Sequence, residues 1–146
     1  ASGYVFQMYN LIPNLNVKEN IESWAYLSDR PLELDDLLKT LDCMNTQQAA
    51  KSAFGGQQQR TAIGRAIVKN PDILPAMADG ALDYKTSKEI LRLIEQINQK
   101  YGNTVIMVTH NDAIKHMADR VIKLRDGQIR ENYVNETKTA AEDLEW

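Results

Sequence analysis

Leu34, Leu37, Leu38 and Leu41 fall at helical spacing, as do Ile90, Ile94, Ile97 and Tyr101, and each set predicts one apolar face of a helix. The second set places a helix over 86–101. A third stripe, Ile63, Ala66 and Ile67, predicts a helix over 57–69, opened by Gly55-Gly56 and closed by Asn70-Pro71. Asn16 and Glu19 stand at capping-box positions ahead of a helix over 17–27, which Asp29-Arg30-Pro31 ends. Between these lie shorter apolar runs. Tyr4 to Gln7 reads as a strand followed by a loop over 10–14, and Thr104 to Val108 as a strand covered on both faces. Ile73 to Met77 reads as a buried strand, although Pro75 removes a ladder donor from its middle. The segments 121–124 and 128–133 flank Asp126-Gly127, a two-residue hairpin signal. Asp112 to Met117 reads as a short helix and 137–146 as an acidic helical tail; 45–52 is undecided. The order predicts an α/β fold with a mainly parallel sheet flanked by helices and an inserted helical region.

Composition narrows this picture. Hydrophobic residues make up 43% and charged residues 25% of 146 residues, enough apolar content for a globular domain with its own core. The net charge is -3 and no basic run exceeds two residues, which argues against a nucleic-acid partner. Cys43 stands alone, which excludes an internal disulfide and fits a reducing compartment. No apolar run reaches the roughly 18 residues of a membrane span, so a membrane connection runs through a partner. The chain starts almost within a strand, so either it is a fragment or preceding residues exist elsewhere.

Four segments hold candidate chemistry, each with a bland alternative. Gly55, Gly56 and Gln57 precede a helix whose positive end suits a phosphate; a glycine-containing loop before an ordinary helix accounts for the same residues. His110 follows the strand at 104–108, where open α/β sheets bind ligands; a surface histidine at a strand–helix junction is the alternative. Gln7 can ligate a hard cation through its amide oxygen or orient water, or it simply ends a strand. Asp79 and Asp83 stand where a magnesium ligand would follow an apolar strand, or they serve the turn around Gly80. His116 reads as a plain surface residue.

Their order carries more than any one of them. Tyr4-Val5-Phe6-Gln7 with Asn10-Leu11-Ile12-Pro13-Asn14-Leu15 resembles the Q-loop of ATP-binding cassette (ABC) transporter ATPases, and Gly55-Gly56-Gln57-Gln58-Gln59-Arg60 resembles their signature helix. Gly80-Ala81-Leu82-Asp83 resembles the D-loop, Val108-Thr109-His110 the switch-histidine loop, and Asp126-Gly127-Gln128-Ile129 the closing hairpin. The resemblance spans nearly the whole chain and is nearest to the ATPases of lipoprotein-releasing and macrolide or antimicrobial-peptide exporters. It implies a P-loop NTPase fold, incomplete here. It divides residues 1–146 into a helical subdomain region at about 16–54, an α/β core at 55–134 and a tail at 135–146. It implies Gln7, Asp83 and His110 as catalytic positions, Gly55, Gly56 and Gln57 as nucleotide-binding positions, and Gln7 or, weakly, Asp79 as a metal ligand. ATP and magnesium are the family's ligands, a membrane permease and a second ABC ATPase subunit its partners, and the cytoplasmic face of the membrane its place.

The chain also departs from the family. It contains no Gly-x-x-x-x-Gly-Lys-Ser/Thr phosphate loop and begins almost at the Q-loop, so roughly the first third of a cassette is expected to be absent. Where the family carries Asp and the catalytic Glu, this chain reads Met77 and Ala78 counting from the strand start, or Ala76 and Met77 counting back from the D-loop. Without that Glu the attacking water has no general base. Phe54 stands where the signature serine belongs. The expected function is therefore an ABC transporter ATP-binding subunit that does not hydrolyse ATP by itself, with a non-catalytic regulatory or dimerisation module as the alternative. A truncated sheet should also expose an apolar edge and promote self-association.

Overall fold

The computed structural model describes residues 14–41, 55–78 and 84–146. The expected strand at 4–7, most of the loop at 10–14 and the segment at 45–52 lie outside the described residues.

Helix α1 (Val17–Ala25) begins as its sequence requires. The Asn16 side chain accepts from the Glu19 N–H at 2.8 Å, and the Glu19 carboxylate accepts from the Asn16 N–H at 3.1 Å. This reciprocal cap satisfies two backbone donors that a helix start otherwise leaves orphaned. Helix α2 (Leu34–Thr40) starts on Glu33, whose carboxylate accepts from the N–H groups of Asp35 and Asp36. Helix α3 (Gly55–Ile67) ends just before Asn70, which takes the left-handed conformation at φ 55° ahead of Pro71. Strand β1 (Ile73–Ala78) leads into the long helix α4 (Tyr84–Tyr101), and Gly102, at φ 69°, turns the chain into strand β2 (Thr104–Thr109).

Strands β1 and β2 pair in parallel, from Ile73 opposite Thr104 to Ala78 opposite Thr109. Among the described residues β1 has no ladder partner on its other side, so Pro75 sits in an edge strand and its missing N–H leaves no described neighbour unpaired. Strands β3 (Arg120–Arg125) and β4 (Gln128–Val134) form the expected hairpin. Asp126 and Gly127 both take positive φ, 53° and 73°, the pair of conformations a type I′ turn needs.

The main core is a wedge of helices and β1. α1, α2 and α3 bring Ile21, Leu37, Leu41, Ile63 and Ile67 together, and α4 adds Ile90, Ile94 and Ile97 under Leu74 and Ala76 of β1. Each fully buried Leu or Ile here contributes roughly 1.5–3 kcal/mol. The tightest point is Gly64 on α3. A Cβ there would lie 2.6 Å from Leu41 Cδ1 and 2.8 Å from Ile21 Cδ1, both on side chains without solvent exposure. Polar contacts lock the same helices from outside. Lys100 donates to Asp36 and Thr40 at 2.9 Å each, and the Tyr101 hydroxyl donates to Asp36 at 3.0 Å. The Lys100 and Tyr101 hydrogen bonds hold the Asp36 carboxyl below the usual carboxylate range.

Two expectations are corrected. The apolar run at 104–108 is covered on one face only. Val105 and Met107 turn toward the core, while Ile106 and Val108 are 51% and 59% exposed, with Ile73 of β1 beside them at 43%. Side chains alternate across a strand, and no described helix lies on the second face. The tail is not a helix either: apart from one 3₁₀ turn at Ala141–Asp143 it has no helical span, and it packs along α4 through Ala141 and Leu144. The short helix at Asp112–Met117 is present, in 3₁₀ form.

Gly64→Ala should lower the urea-unfolding free energy by about 1 kcal/mol, because overpacking costs about 1–3 kcal/mol and the helix-propensity gain returns about 1 kcal/mol. Gly64→Leu should cost about 3 kcal/mol; unchanged midpoints for both would show that the helices can spread. The bare face should make the chain associate in a concentration-dependent way in sedimentation velocity. The Ile106→Lys, Val108→Lys pair should shift it toward monomer, and a wild-type chain that stays monomeric at all concentrations refutes the expectation.

Candidate functional site

The candidate residues stand at two places, the strand ends and one helix start, and no described contact joins the two. Because β1 and β2 run parallel and finish level, at Ala78 opposite Thr109, the chain leaves both strands at one edge of the sheet. That edge is the carboxyl end, where open α/β sheets place their ligands. His110 is the first residue beyond β2 and is exposed. The turn that presents it is held by side chains on either side. The Asn111 N–H donates to Thr109 Oγ1 at 3.0 Å, and Asn111 Oδ1 accepts from the Ala113 N–H at 3.0 Å, capping the 3₁₀ helix. His116, in that helix, is exposed as expected.

Gly55, Gly56 and Gln57 form the first turn of α3, with no acidic residue in that turn to oppose an anion. The far half of α3 is fixed by its neighbours. Trp24 of α1 meets two cations of α3 and its exit: the Arg65 guanidinium sits 4.6 Å and the Lys69 ammonium 4.9 Å from the ring centroid. Arg65 is buried, and burial pushes its pKa below the usual guanidinium value. The Leu32 N–H donates to the Val68 carbonyl at 2.9 Å and Ser28 Oγ to the Lys69 carbonyl at 2.8 Å, so the α1–α2 linker satisfies carbonyls at the end of α3. The direction of the Gly55 end thus follows from how α1 and α2 grip the other end.

Gln7, Asp79 and Asp83 lie outside the described residues, so the expected metal ligands cannot be placed. β1 carries no carboxylate in its six residues, Met77 and Ala78 included. Among the described residues no group of three His, Cys, Asp or Glu side chains gathers to hold a metal. The start of α3 suits a phosphate; the described residues supply no magnesium ligand set. No described helix is long and apolar enough to cross a membrane.

The stack of Trp24 on Arg65 and Lys69 was not foreseen from the sequence. Arg65 and Lys69 are four apart on one helical face, but nothing local connects them to a tryptophan forty residues earlier.

A family model described as ABC transporter matches residues 1–79. The chain belongs to the ABC transporter family. It is 38% identical over 149 aligned positions to a Mycoplasma pneumoniae protein named as an ABC transporter ATP-binding protein, with 99% of this chain and 32% of that protein covered. It is 36% identical to the macrolide export ATP-binding/permease protein MacB of Rhodopirellula baltica, with 89% of this chain and 20% of that protein covered. Its fold superposes with a TM-score of 0.68 on the ATP-binding cassette MJ0796, solved as a dimer in a post-hydrolysis state bound to ADP and Pi. That match has 33% identity and covers 90% of this chain and 62% of the cassette. The chain thus spans less than two thirds of each of these relatives. The α/β class expected from the strand–helix order, and the P-loop NTPase fold implied by the family resemblance, are those of its structural neighbours.

His110→Ala should leave the unfolding free energy within about 0.5 kcal/mol, as an exposed position without a structural duty does. Asn111→Ala should cost about 1 kcal/mol by removing the cap. A loss above 1 kcal/mol for His110→Ala in the same urea titration would make the histidine a structural residue instead.

Proposed function

We propose that this chain is the signature-bearing part of an ABC transporter ATP-binding component, working against a membrane permease and a second ATP-binding subunit, and not hydrolysing ATP alone. The observation that carries this is α3: its Gly55-Gly56 start is free of acidic residues, and its far end is held by α1 and the α1–α2 linker. A fixed helix start presents its N–H groups to a phosphate without reorganising first, which favours binding of an anion brought by a neighbouring subunit. Gln7, Asp83 and His110 are assigned the family's catalytic positions, Gly55, Gly56 and Gln57 its nucleotide contacts, and Asp79 a weak claim on magnesium. The division into a helical region at about 16–54, a core at 55–134 and a tail at 135–146 belongs to the same proposal, as does a place at the cytoplasmic face of the membrane.

The second proposal is a non-catalytic regulatory or dimerisation module. The absence of any carboxylate from β1 favours it, since hydrolysis needs a base near the water.

Titration calorimetry separates them. Under the first proposal ATP binds weakly or not at all to the chain alone and binds measurably once a separate chain carrying a phosphate loop is added. Gly56→Glu, which puts a negative charge at the helix start, should abolish that added binding. Magnesium-dependent ATP hydrolysis by the chain alone would refute both proposals, and absence of binding with the second chain present would leave the non-catalytic one.

A further inference from the structure

The tail does more than cover α4. It runs from the end of the 3₁₀ helix that follows β2 to the first turn of α4, bonding to both. At its near end Asn135 Nδ2 donates to the Lys115 and Ala118 carbonyls at 2.8 Å each, and the Thr139 N–H donates to the His116 carbonyl at 2.8 Å. These three carbonyls close the 3₁₀ helix that starts two residues after His110. In its middle the Ala141 N–H donates to Glu95 Oε2 at 3.1 Å, and Ala141 and Leu144 join Leu91 and Ile114 in a small separate core. At its far end the Lys88 ammonium donates to the Glu142 carbonyl at 2.7 Å and the Tyr84 hydroxyl to the Leu144 carbonyl at 3.3 Å. The Trp146 ring meets Tyr84 edge to face, with centroids 4.8 Å apart and planes at 62°. The Lys88 ammonium lies on the Tyr84 ring as well, 5.2 Å from its centroid.

Tyr84 follows Asp83 directly in the chain, and the 3₁₀ helix follows His110. We propose that residues 135–146 are a positioning strap that ties the 3₁₀ helix following His110 to the first turn of α4, with the Trp146–Tyr84 ring pair as its clasp. The strap has polar fixings at both ends and an apolar span between them, so a displacement at one end is passed to the other instead of being absorbed. Its carbonyls accept from side chains of α4, an arrangement that holds an extended segment without a sheet partner. The strap rests on the nucleotide proposal for its use, but its test contains no nucleotide, so either can fail without the other.

The test is amide hydrogen exchange on the whole chain. Trp146→Ala should raise exchange in the first turns of α4 by about three- to tenfold, the factor an edge-to-face ring pair carries. It should also raise exchange in the 112–118 segment, although Trp146 does not touch it. Asn135→Ala should do the same from the opposite end, reaching the first turns of α4. Trp146→Phe, which keeps an aromatic ring, should restore most of the protection. Helix α3 at 60–67 serves as the internal reference and should not change. If each variant loosens only its own end, the tail is local packing and the strap is refuted. If exchange rises equally in α3, the variants have destabilised the whole fold and the strap is likewise refuted, as it is if nothing changes.

Discussion

Among the described glycines the closest approach is at Gly64, where α3 lies so near α1 and the end of α2 that there is no room for a single methyl group. Helices usually sit 8–10 Å apart because side chains separate them. Here hydrogen replaces a side chain, and Ile21 and Leu41 move in to fill the gap. From that contact the rest of the helical arrangement follows. Trp24 comes into range of Arg65 and Lys69, and the α1–α2 linker comes into range of the carbonyls at the end of α3. A side chain at position 64 would push these contacts apart together, since they share the same pair of helices.

The grip matters because of what α3 carries at its other end. A helix concentrates its unpaired N–H groups at its start, but their use to an anion depends on where that start points. Packing thirteen residues of helix against two others fixes the direction with buried Leu and Ile side chains rather than with loop contacts. The sheet contributes a second fixed reference, since β1 and β2 end level and release the chain at one edge. The membership of the ABC transporter family then gives these two features a shared purpose, the handling of a nucleotide between cassettes, which is here a proposal for this chain.

The same sheet is bare on one face among the described residues. One of its faces is packed and the other presents Ile73, Ile106 and Val108 to solvent, and in the hairpin Ile122, Leu124 and Ile129 are also exposed. An apolar surface of this kind is unusual on an isolated domain. It agrees with a chain that covers 62% of the cassette it superposes on.

The sequence by itself determined the local elements and the family. The capping box at Asn16 and Glu19, the stripes on α2, α3 and α4, and the Asp126-Gly127 turn were legible because each depends on residues within one or two turns of each other. The order of the short motifs identified the family for a similar reason: Gly55, Gly56 and His110 stand in fixed positions along the chain whatever surrounds them. Only the tertiary structure decided which faces are covered. An uninterrupted apolar run such as Thr104–Val108 reads as buried on both sides, yet burial depends on whether a second layer lies against it, and the run holds no record of that. The tail misled in the same way. Its acidic and small residues suit a helix, but Leu144 and Ala141 gain more by lying in the groove beside Leu91 and Ile114 than an isolated ten-residue helix would gain in water. Trp24 on Arg65 and Lys69, and Trp146 on Tyr84, are contacts across forty and sixty residues, and only the folded chain brings such partners together.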